Sequence, residues 1–128
     1  MKKTIVFAFA FLFAMMVLAS TVYDEVNAAF SAGSTEKLSA LLSSNVDLTL
    51  LTSEGKYSKV QAQQIIKNFF AQHPPAFFKI QHQGSSKDGS MYGIGLYKDN
   101  KGEAFRIYFV LKQLNGQNLI REIRFEKE

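Results

Sequence analysis

Three segments in the first half of the chain carry apolar residues three or four positions apart, which is the spacing of one helix face. The first segment spans residues 21–32, and Gly33 follows it where glycine commonly ends a helix. The second begins after Ser34 or Thr35, either of which is a suitable N-cap. The predicted apolar stripes are Val22, Val26, Ala29 and Phe30 in the first helix, Leu38, Leu41 and Leu42 in the second, and Ala62, Ile65, Ile66, Phe69 and Phe70 in the third.

The third helix has clear signals at both of its ends. Ser58 and Gln61 have the spacing of a capping box, and Pro74-Pro75 stops the helix. Before this helix, residues 46–50 alternate between apolar and polar side chains, which predicts a half-buried strand. Glu54-Gly55 predicts a turn after that strand.

The second half of the chain predicts four strands joined by short turns. The strands cover residues 77–83, 91–97, 104–112 and 118–126, with turn residues at Asp88-Gly89, Asn100-Lys101-Gly102 and Asn115-Gly116. Consecutive strands with short connections form an antiparallel meander. The helices must cover one face of this sheet to bury its apolar side chains, so the predicted fold class is α+β. The predicted order is helix, helix, two strands, helix and four strands.

The start of the chain has a different pattern. Lys2 and Lys3 precede an unbroken apolar run over residues 5–19, which ends in the small residue Ala19. This predicts a signal peptide at residues 1–19 that is cleaved after Ala19, and a single domain at residues 20–128. The exported domain would then be periplasmic or extracellular. The alternative is an uncleaved membrane anchor, for which the run is short because a spanning helix needs about 20 apolar residues.

Composition excludes several classes of site. The sequence has no cysteine, so disulfides, thiolate zinc sites and cysteine nucleophiles are absent. The net charge of +4 falls to +2 when Lys2 and Lys3 are removed with the signal, and the remaining lysines are spread along the chain. Such a weak charge predicts no nucleic-acid partner. We expect no cofactor and no catalytic constellation, and membrane contact only through an uncleaved signal.

The two histidines are the candidate polar groups of a site. Neither lies near a carboxylate pattern in the sequence, so we predict no metal site. His73 falls at the end of the third helix, where a cation stabilises the helix dipole. His82 shares strand parity with Phe78 and Ile80, which points it toward the interior, either as a hydrogen-bonded core residue or at the mouth of a pocket.

Arg121 breaks the pattern of the last strand. By alternation it shares a face with Leu119, Ile123 and Phe125. A charge at such a position reaches solvent at an edge, pairs with a carboxylate such as Glu36 or Glu103, or lines a cavity that accepts an anion. Together with His82 it is the candidate lining of a ligand pocket.

The opposite face of the sheet is a candidate interface. Tyr108, Val110 and Ile120 alternate with the core positions, and Arg106 lies at their border. Apolar groups ringed by charges resemble the centre and rim of a modest interface. We therefore expect a weak homodimer or an unidentified protein partner at this face.

Five short stretches, in order along the chain, resemble one small bacterial family. They are Phe30-Ser31-Ala32-Gly33, Gly55-Lys56-Tyr57-Ser58-Lys59, His82-Gln83-Gly84-Ser85-Ser86-Lys87, Phe105-Arg106-Ile107-Tyr108-Phe109 and Arg124-Phe125-Glu126-Lys127-Glu128. The family is described as domain of unknown function 4783, within the cone-shaped nuclear-transport-factor-2-like superfamily, and the resemblance covers the whole chain after residue 19. It implies three N-terminal helices packed on a curved antiparallel sheet, and it implies no activity.

Some members of this superfamily are isomerases and dehydratases with an aspartate base inside the cone. Asp47 is the residue to test for that role, but alternation with Val46 and Leu48 turns it away from the interior. The best-supported function is an exported, non-catalytic binding or interaction module. The alternatives are a domain with a small-molecule or anion pocket and, least supported, an isomerase-like enzyme.

The signal prediction is tested by the intact mass of the protein recovered from the cell that produces it. We expect a mature chain that begins near Ser20, because signal peptidase cuts after a small residue such as Ala19. A recovered protein that retains Met1 would contradict the prediction.

Overall fold

Three helices and six strands follow one another along residues 21–128, the part of the chain that the computed structural model describes. The helices are α1 (Val22–Ala32), α2 (Thr35–Leu41) and α3 (Lys59–Gln72). The strands are β1 (Leu42–Leu50), β2 (Ser53–Ser58), β3 (Pro75–Ser85), β4 (Met91–Asp99), β5 (Ala104–Leu114) and β6 (Gln117–Lys127). The predicted α+β class and the order of elements are confirmed, and the predicted signal peptide lies outside the described residues.

The helix ends are set by the residues that the sequence singled out. Gly33 has a φ of 59° and ends α1, and its conformation is one that side chains with a Cβ rarely adopt. Of the two candidate caps for α2, Ser34 is the one used, since its Oγ accepts the backbone N–H of Lys37 at 3.2 Å. At α3, Ser58 Oγ accepts the backbone N–H of Gln61 at 3.2 Å. Gln61 Oε1 accepts the backbone N–H of Ser58 at 3.1 Å, which completes the capping box.

All six strands belong to one sheet, in the order β2-β1-β6-β5-β4-β3. The predicted meander of β3 to β6 is antiparallel, and β1 pairs with β2 in the same way. However, β1 runs parallel to β6, so the sheet is mixed and the prediction of an antiparallel sheet is wrong at this pair. Short turns predict only which consecutive strands pair, and β1 and β6 are separated by most of the chain.

The turn between β1 and β2 is also displaced from its predicted position. Glu54 and Gly55 lie inside β2, opposite Thr49 and Leu48. Leu51 and Thr52 make the connection, three residues before the predicted turn, and Leu51 adopts a positive φ of 51°. At the β5–β6 hairpin, in contrast, the predicted Asn115-Gly116 turn is present, with φ of 52° and 79°.

The helices pack against one face of the sheet, which we call the inner face. The strand side chains there are buried together with Phe30 of α1 and Phe69 of α3. Space on this face is so limited that a Cβ added to Gly93 would lie 2.2 Å from the ring of Phe109. One added to Gly95 would lie 2.4 Å from the ring of Phe78. Aromatic rings therefore fill the space between the sheet and the helices.

Two β-bulges reverse the alternation on which three sequence predictions depended. In β3, Ile80 pairs with Gly95 and His82 pairs with Ile94, so one extra residue is inserted in β3. His82 is consequently exposed on the face away from the helices, which we call the outer face. The prediction that it points toward the interior is wrong.

The second bulge lies in β6 at Arg121. Ile120 pairs with Leu111 and Glu122 pairs with Val110, so Arg121 has no partner on β5. As a result Ile120 is fully buried on the inner face, and its predicted place in an outer interface is wrong. Arg121 is exposed, and within residues 21–128 it forms no ion pair with a carboxylate. Of its three predicted arrangements, pairing with Glu36 or Glu103 is therefore not observed.

No helix within residues 21–128 has the length and apolar character needed to span a bilayer.

The capping box of α3 makes a stability prediction. Ser58→Ala removes the acceptor of the Gln61 N–H and should lower the free energy of unfolding by about 1 kcal/mol. Urea unfolding of the two proteins measures the difference. Ser31→Ala is the matched control, because Ser31 is exposed on α1 and should change stability by less than about 0.5 kcal/mol. Equal effects of the two substitutions would show that the cap contributes nothing.

Candidate functional site

The centre of the outer face combines half-buried apolar side chains with charges in cross-strand rows. Ile94 of β4, Tyr108 of β5 and Arg124 of β6 are consecutive partners in one row. The neighbouring rows are Tyr92, Val110 and Glu122 on one side, and Leu96, Arg106 and Glu126 on the other. In every row the β4 residue is uncharged and the β6 residue is charged, and on β5 only Arg106 is charged, so the surface has an apolar part bordered by a charged part.

The charges of this surface are ordered by contacts with one another and with a ring. Arg124 Nε lies 3.2 Å from Glu122 Oε1, and the Arg124 guanidinium lies 5.7 Å from the centre of the Tyr108 ring. Arg106 Nε lies 3.5 Å from Glu128 Oε2. Exposed ion pairs of this kind add little to stability. Their main effect is to hold the guanidinium groups beside the apolar side chains.

These side chains enclose a shallow groove of about 280 Å³, which we call the outer groove. It is lined by Ile94, Arg106, Tyr108, Glu122, Arg124 and Glu126. The sequence placed Arg106, Tyr108 and Val110 on this face correctly, and it missed Ile94 and Leu96. The available signal was that Ile94 and Leu96 alternate with Gly93, Gly95 and Tyr97. These three residues face the helices, so the residues between them face outward.

The two predicted pocket residues are not brought together. His82 lies on the edge strand β3 and Arg121 on β6, and the strands β4 and β5 separate them. Both are exposed, whereas a pocket inside the cone would need them on the inner face. The structure therefore contradicts the expected interior placement of His82 and Arg121.

A second polar cluster lies where α3 ends. Asp99 is only 2% exposed, and it is the one buried carboxylate among residues 21–128. Its Oδ2 lies 2.9 Å from His73 Nδ1, and its Oδ1 accepts the backbone N–H groups of Lys101 at 2.9 Å and Glu103 at 2.8 Å. Glu103 Oε2 lies 3.6 Å from His73 Nδ1, and Glu103 Oε1 lies 2.7 Å from Lys127 Nζ. The cluster connects α3, the β4–β5 turn and the end of β6.

His73 was predicted to act as a cation at the end of the third helix; in the structure it is the C-cap of α3, and its backbone N–H donates to the Phe69 carbonyl at 2.8 Å. Its contact with a carboxylate was missed, because residues 73 and 99 are distant along the chain. They meet because Pro75 is the cross-strand partner of Asp99. Asp99 at the start of a glycine-containing turn was the local signal, since aspartate there commonly accepts backbone N–H groups.

The cluster contains three possible metal-ligand atoms, from His73, Asp99 and Glu103, within 4.8 Å of one another. Both oxygens of Asp99 already accept hydrogen bonds, and Glu103 is held by Lys127. A metal would have to replace these contacts with its own bonds. The arrangement fits a structural cross-link better than a metal centre.

The cross-link leads to a prediction about how the stability of the fold changes at acidic pH. The hydrogen bond from His73 and those from the backbone N–H groups of Glu103 and Lys101 hold the pKa of Asp99 below its ordinary value of 3.8, although burial opposes them. A carboxyl whose folded-state pKa is lowered stabilises the fold fully above the unfolded-state pKa. That contribution is lost as the pH falls through the lower, folded-state pKa. Asp99→Asn should therefore lower stability at neutral pH and flatten its decline below about pH 4.

Urea midpoints measured across this pH range test the prediction. Glu54→Gln is the matched control, because Glu54 is exposed on β2 and should leave the pH dependence unchanged. Parallel pH profiles for the original chain and Asp99→Asn would contradict the prediction.

Comparison with known proteins places this geometry in a family. The model of the family described as domain of unknown function (DUF4783) matches residues 23–126. A DUF4783 family protein from Bacteroides uniformis ATCC 8492 is 27% identical, with a TM-score of 0.78 over 84% of this chain and 98% of that chain. One from Bacteroides ovatus ATCC 8483 is 31% identical, with a TM-score of 0.76 over 81% and 93%.

More distant structures share the fold alone. An NTF2-like protein of unknown function from Shewanella baltica OS155 is 14% identical, with a TM-score of 0.64 over 84% of this chain and 88% of that chain. No curated protein sequence matches the chain. The resemblance drawn from the five short stretches is confirmed, and the chain belongs to the DUF4783 family, with an α+β fold of the nuclear-transport-factor-2-like kind.

Proposed function

We propose that this protein is an exported, non-catalytic interaction domain whose outer groove binds a second copy of the same chain. The observation that carries the proposal is the contrast between the two faces of the sheet. The inner face is filled with rings to the point that Gly93 and Gly95 have no room for a Cβ. The outer face keeps Ile94, Leu96 and Tyr108 only half-buried.

Apolar groups at the centre of a charged border are the usual composition of a modest interface. Burying them against a partner removes apolar surface from water, which stabilises the complex by about 25 cal/mol per Å². The groove is small, so the association is weak and reversible rather than obligate.

The charges of the groove favour a second copy as the partner. Two arginines, Arg106 and Arg124, stand beside two glutamates, Glu122 and Glu126, so the groove is close to neutral. Two copies can then approach without the repulsion that a face of one sign would cause. A strongly acidic or basic partner has no comparable electrostatic reason to bind here.

The enzyme alternative has less support. The isomerase-like alternative needs an aspartate base that faces the interior and is free to accept a proton. Asp47 lies between Lys56 and Glu122 in a row of the outer face. Asp99 is buried, but its oxygens are occupied by His73 and two backbone N–H groups. Neither residue meets the requirement.

Tyr108→Glu tests the proposal. The substitution removes the ring at the centre of the groove and adds a carboxylate, which makes a nearly neutral groove negative in both copies and would have to be buried in the dimer. The fold should persist, because Tyr108 is on the outer face and the core rings are untouched. We expect sedimentation velocity to show a concentration-dependent dimer for the original chain and a monomer for the variant.

Gln113→Glu is the control for the added charge, since Gln113 is exposed near the end of the same strand. It should leave the dimer intact. A monomer for the original chain at millimolar concentration, or equal loss of dimer in both variants, would refute the proposal.

A further inference from the structure

On the side of Glu122 that faces away from the outer groove, the pairing between β1 and β6 is interrupted. In the β1–β6 ladder, Leu42 pairs with Ile120 and Asp47 with Glu122, so β1 advances five residues while β6 advances two. The residues between these pairs, including Ser44 and Asn45, have no cross-strand partner on β6. Arg121 is the bulged residue on the other side of the gap. The two irregularities coincide and leave a recess of about 230 Å³.

We call this the bulge recess, and its lining is mostly cationic and hydrogen-bonding. Lys56 of β2, Lys112 of β5 and Arg121 of β6 converge on it from three strands, together with Ser44 and Asn45. Asp47 is the one carboxylate in the lining, so the ionisable side chains sum to two positive charges. None of the three cations forms an ion pair within the described part of the chain. After Asp47 is counted, an excess of two positive charges therefore remains in the recess without an ion-pair partner among residues 21–128.

We propose that the bulge recess binds a small dianionic oxyanion, such as inorganic phosphate or the phosphate group of a small molecule. A guanidinium presents paired N–H donors that match two oxygens of such a group, and the two lysines supply charge without fixed geometry. The Ser44 hydroxyl and the Asn45 amide offer neutral donors. A doubly negative ligand balances the excess charge, whereas a single carboxylate leaves half of it.

The lining of this recess shares no residue with the lining of the outer groove, so the proposed site does not rest on the proposed dimer. The pKa of Asp88, in the β3–β4 turn, is lowered mainly by its hydrogen bonds from Ser90, and the charge of Lys112 makes only a smaller contribution. Asp88 is itself bound by the hydroxyl and the backbone N–H of Ser90, so it does not close the recess.

Amide chemical shifts measured by NMR during titration test the proposal. The probes are inorganic phosphate and glycerol phosphate, each compared with sodium chloride at the same ionic strength. We expect saturable shifts at Ser44, Asn45 and Arg121 with the phosphates and none with chloride. Saturation by inorganic phosphate alone would identify the free ion as the ligand, and equal or tighter saturation by glycerol phosphate would identify a phosphate ester.

Two variants that remove different cations keep the test independent of folding. Arg121→Ala should weaken binding by roughly tenfold or more, because a charge-assisted hydrogen bond is lost. Lys56→Gln should weaken binding less, and it leaves the bulge unchanged. Lys67→Ala, on the exposed side of α3, is the control and should bind as the original chain does.

The proposal is overturned if the shifts with phosphate grow without saturation or match those with chloride. It is also overturned if Lys67→Ala weakens binding as much as Arg121→Ala, because the effect would then be general charge screening. Neither result bears on the dimer, which Tyr108→Glu tests separately.

Discussion

The packing of Phe69 is the contact on which the rest of the structure depends. Its ring centre lies 4.6 Å from that of Phe125, 5.2 Å from Phe105 and 5.4 Å from Tyr97, so one side chain of α3 touches β4, β5 and β6. Such contacts add about 0.5–1.5 kcal/mol each to the burial of apolar area. Because rings occupy the space that a cone-shaped fold can leave open for a ligand, the interior of this domain serves stability. The binding sites proposed above accordingly lie on the surface.

The surface, in turn, is shaped by the bulge between Ile80 and His82 in β3 and the bulge at Arg121 in β6. Each bulge inserts one residue, and every side chain beyond it then changes face. At Arg121 this exchange moves Ile120 into the core beside Leu111 and leaves the charge outside. At β3 it moves His82 to the outer face. A single inserted residue thus resolves the conflict between a buried arginine and the core, without any salt bridge.

The features predicted correctly from the sequence are those encoded within a few residues. Ser34, Ser58 and Gly33 act on the backbone next to them, and Asn115-Gly116 forms a turn by itself, so local chemistry is sufficient to place helices and hairpins. The family resemblance supplied the cone-like arrangement that local patterns lack. The parallel pairing of β1 with β6, the bulges, and the contact of His73 with Asp99 depend on residues far apart in the chain. Strict alternation cannot reveal a bulge, and for that reason the predicted pocket of His82 and Arg121 was misplaced while Tyr108 was not.

The outer groove and the bulge recess lie close enough to influence each other. Glu122 lines the groove, and its cross-strand partner Asp47 lines the recess. Asp47 is also the cross-strand partner of Lys56 on β2. Neighbouring strands are about 4.8 Å apart, which is less than the screening length of about 8 Å at physiological salt. An anion held by Arg121 and Lys56 would add negative charge beside Glu122. This charge would strengthen the electrostatic attraction between that region and the guanidinium of Arg124. The guanidinium of Arg124 also lies over Tyr108, at the centre of the groove. An anion bound in the bulge recess would therefore change the charge that a second copy meets at the outer groove. The effect passes through neighbouring residues of a single cross-strand row and needs no movement of the core.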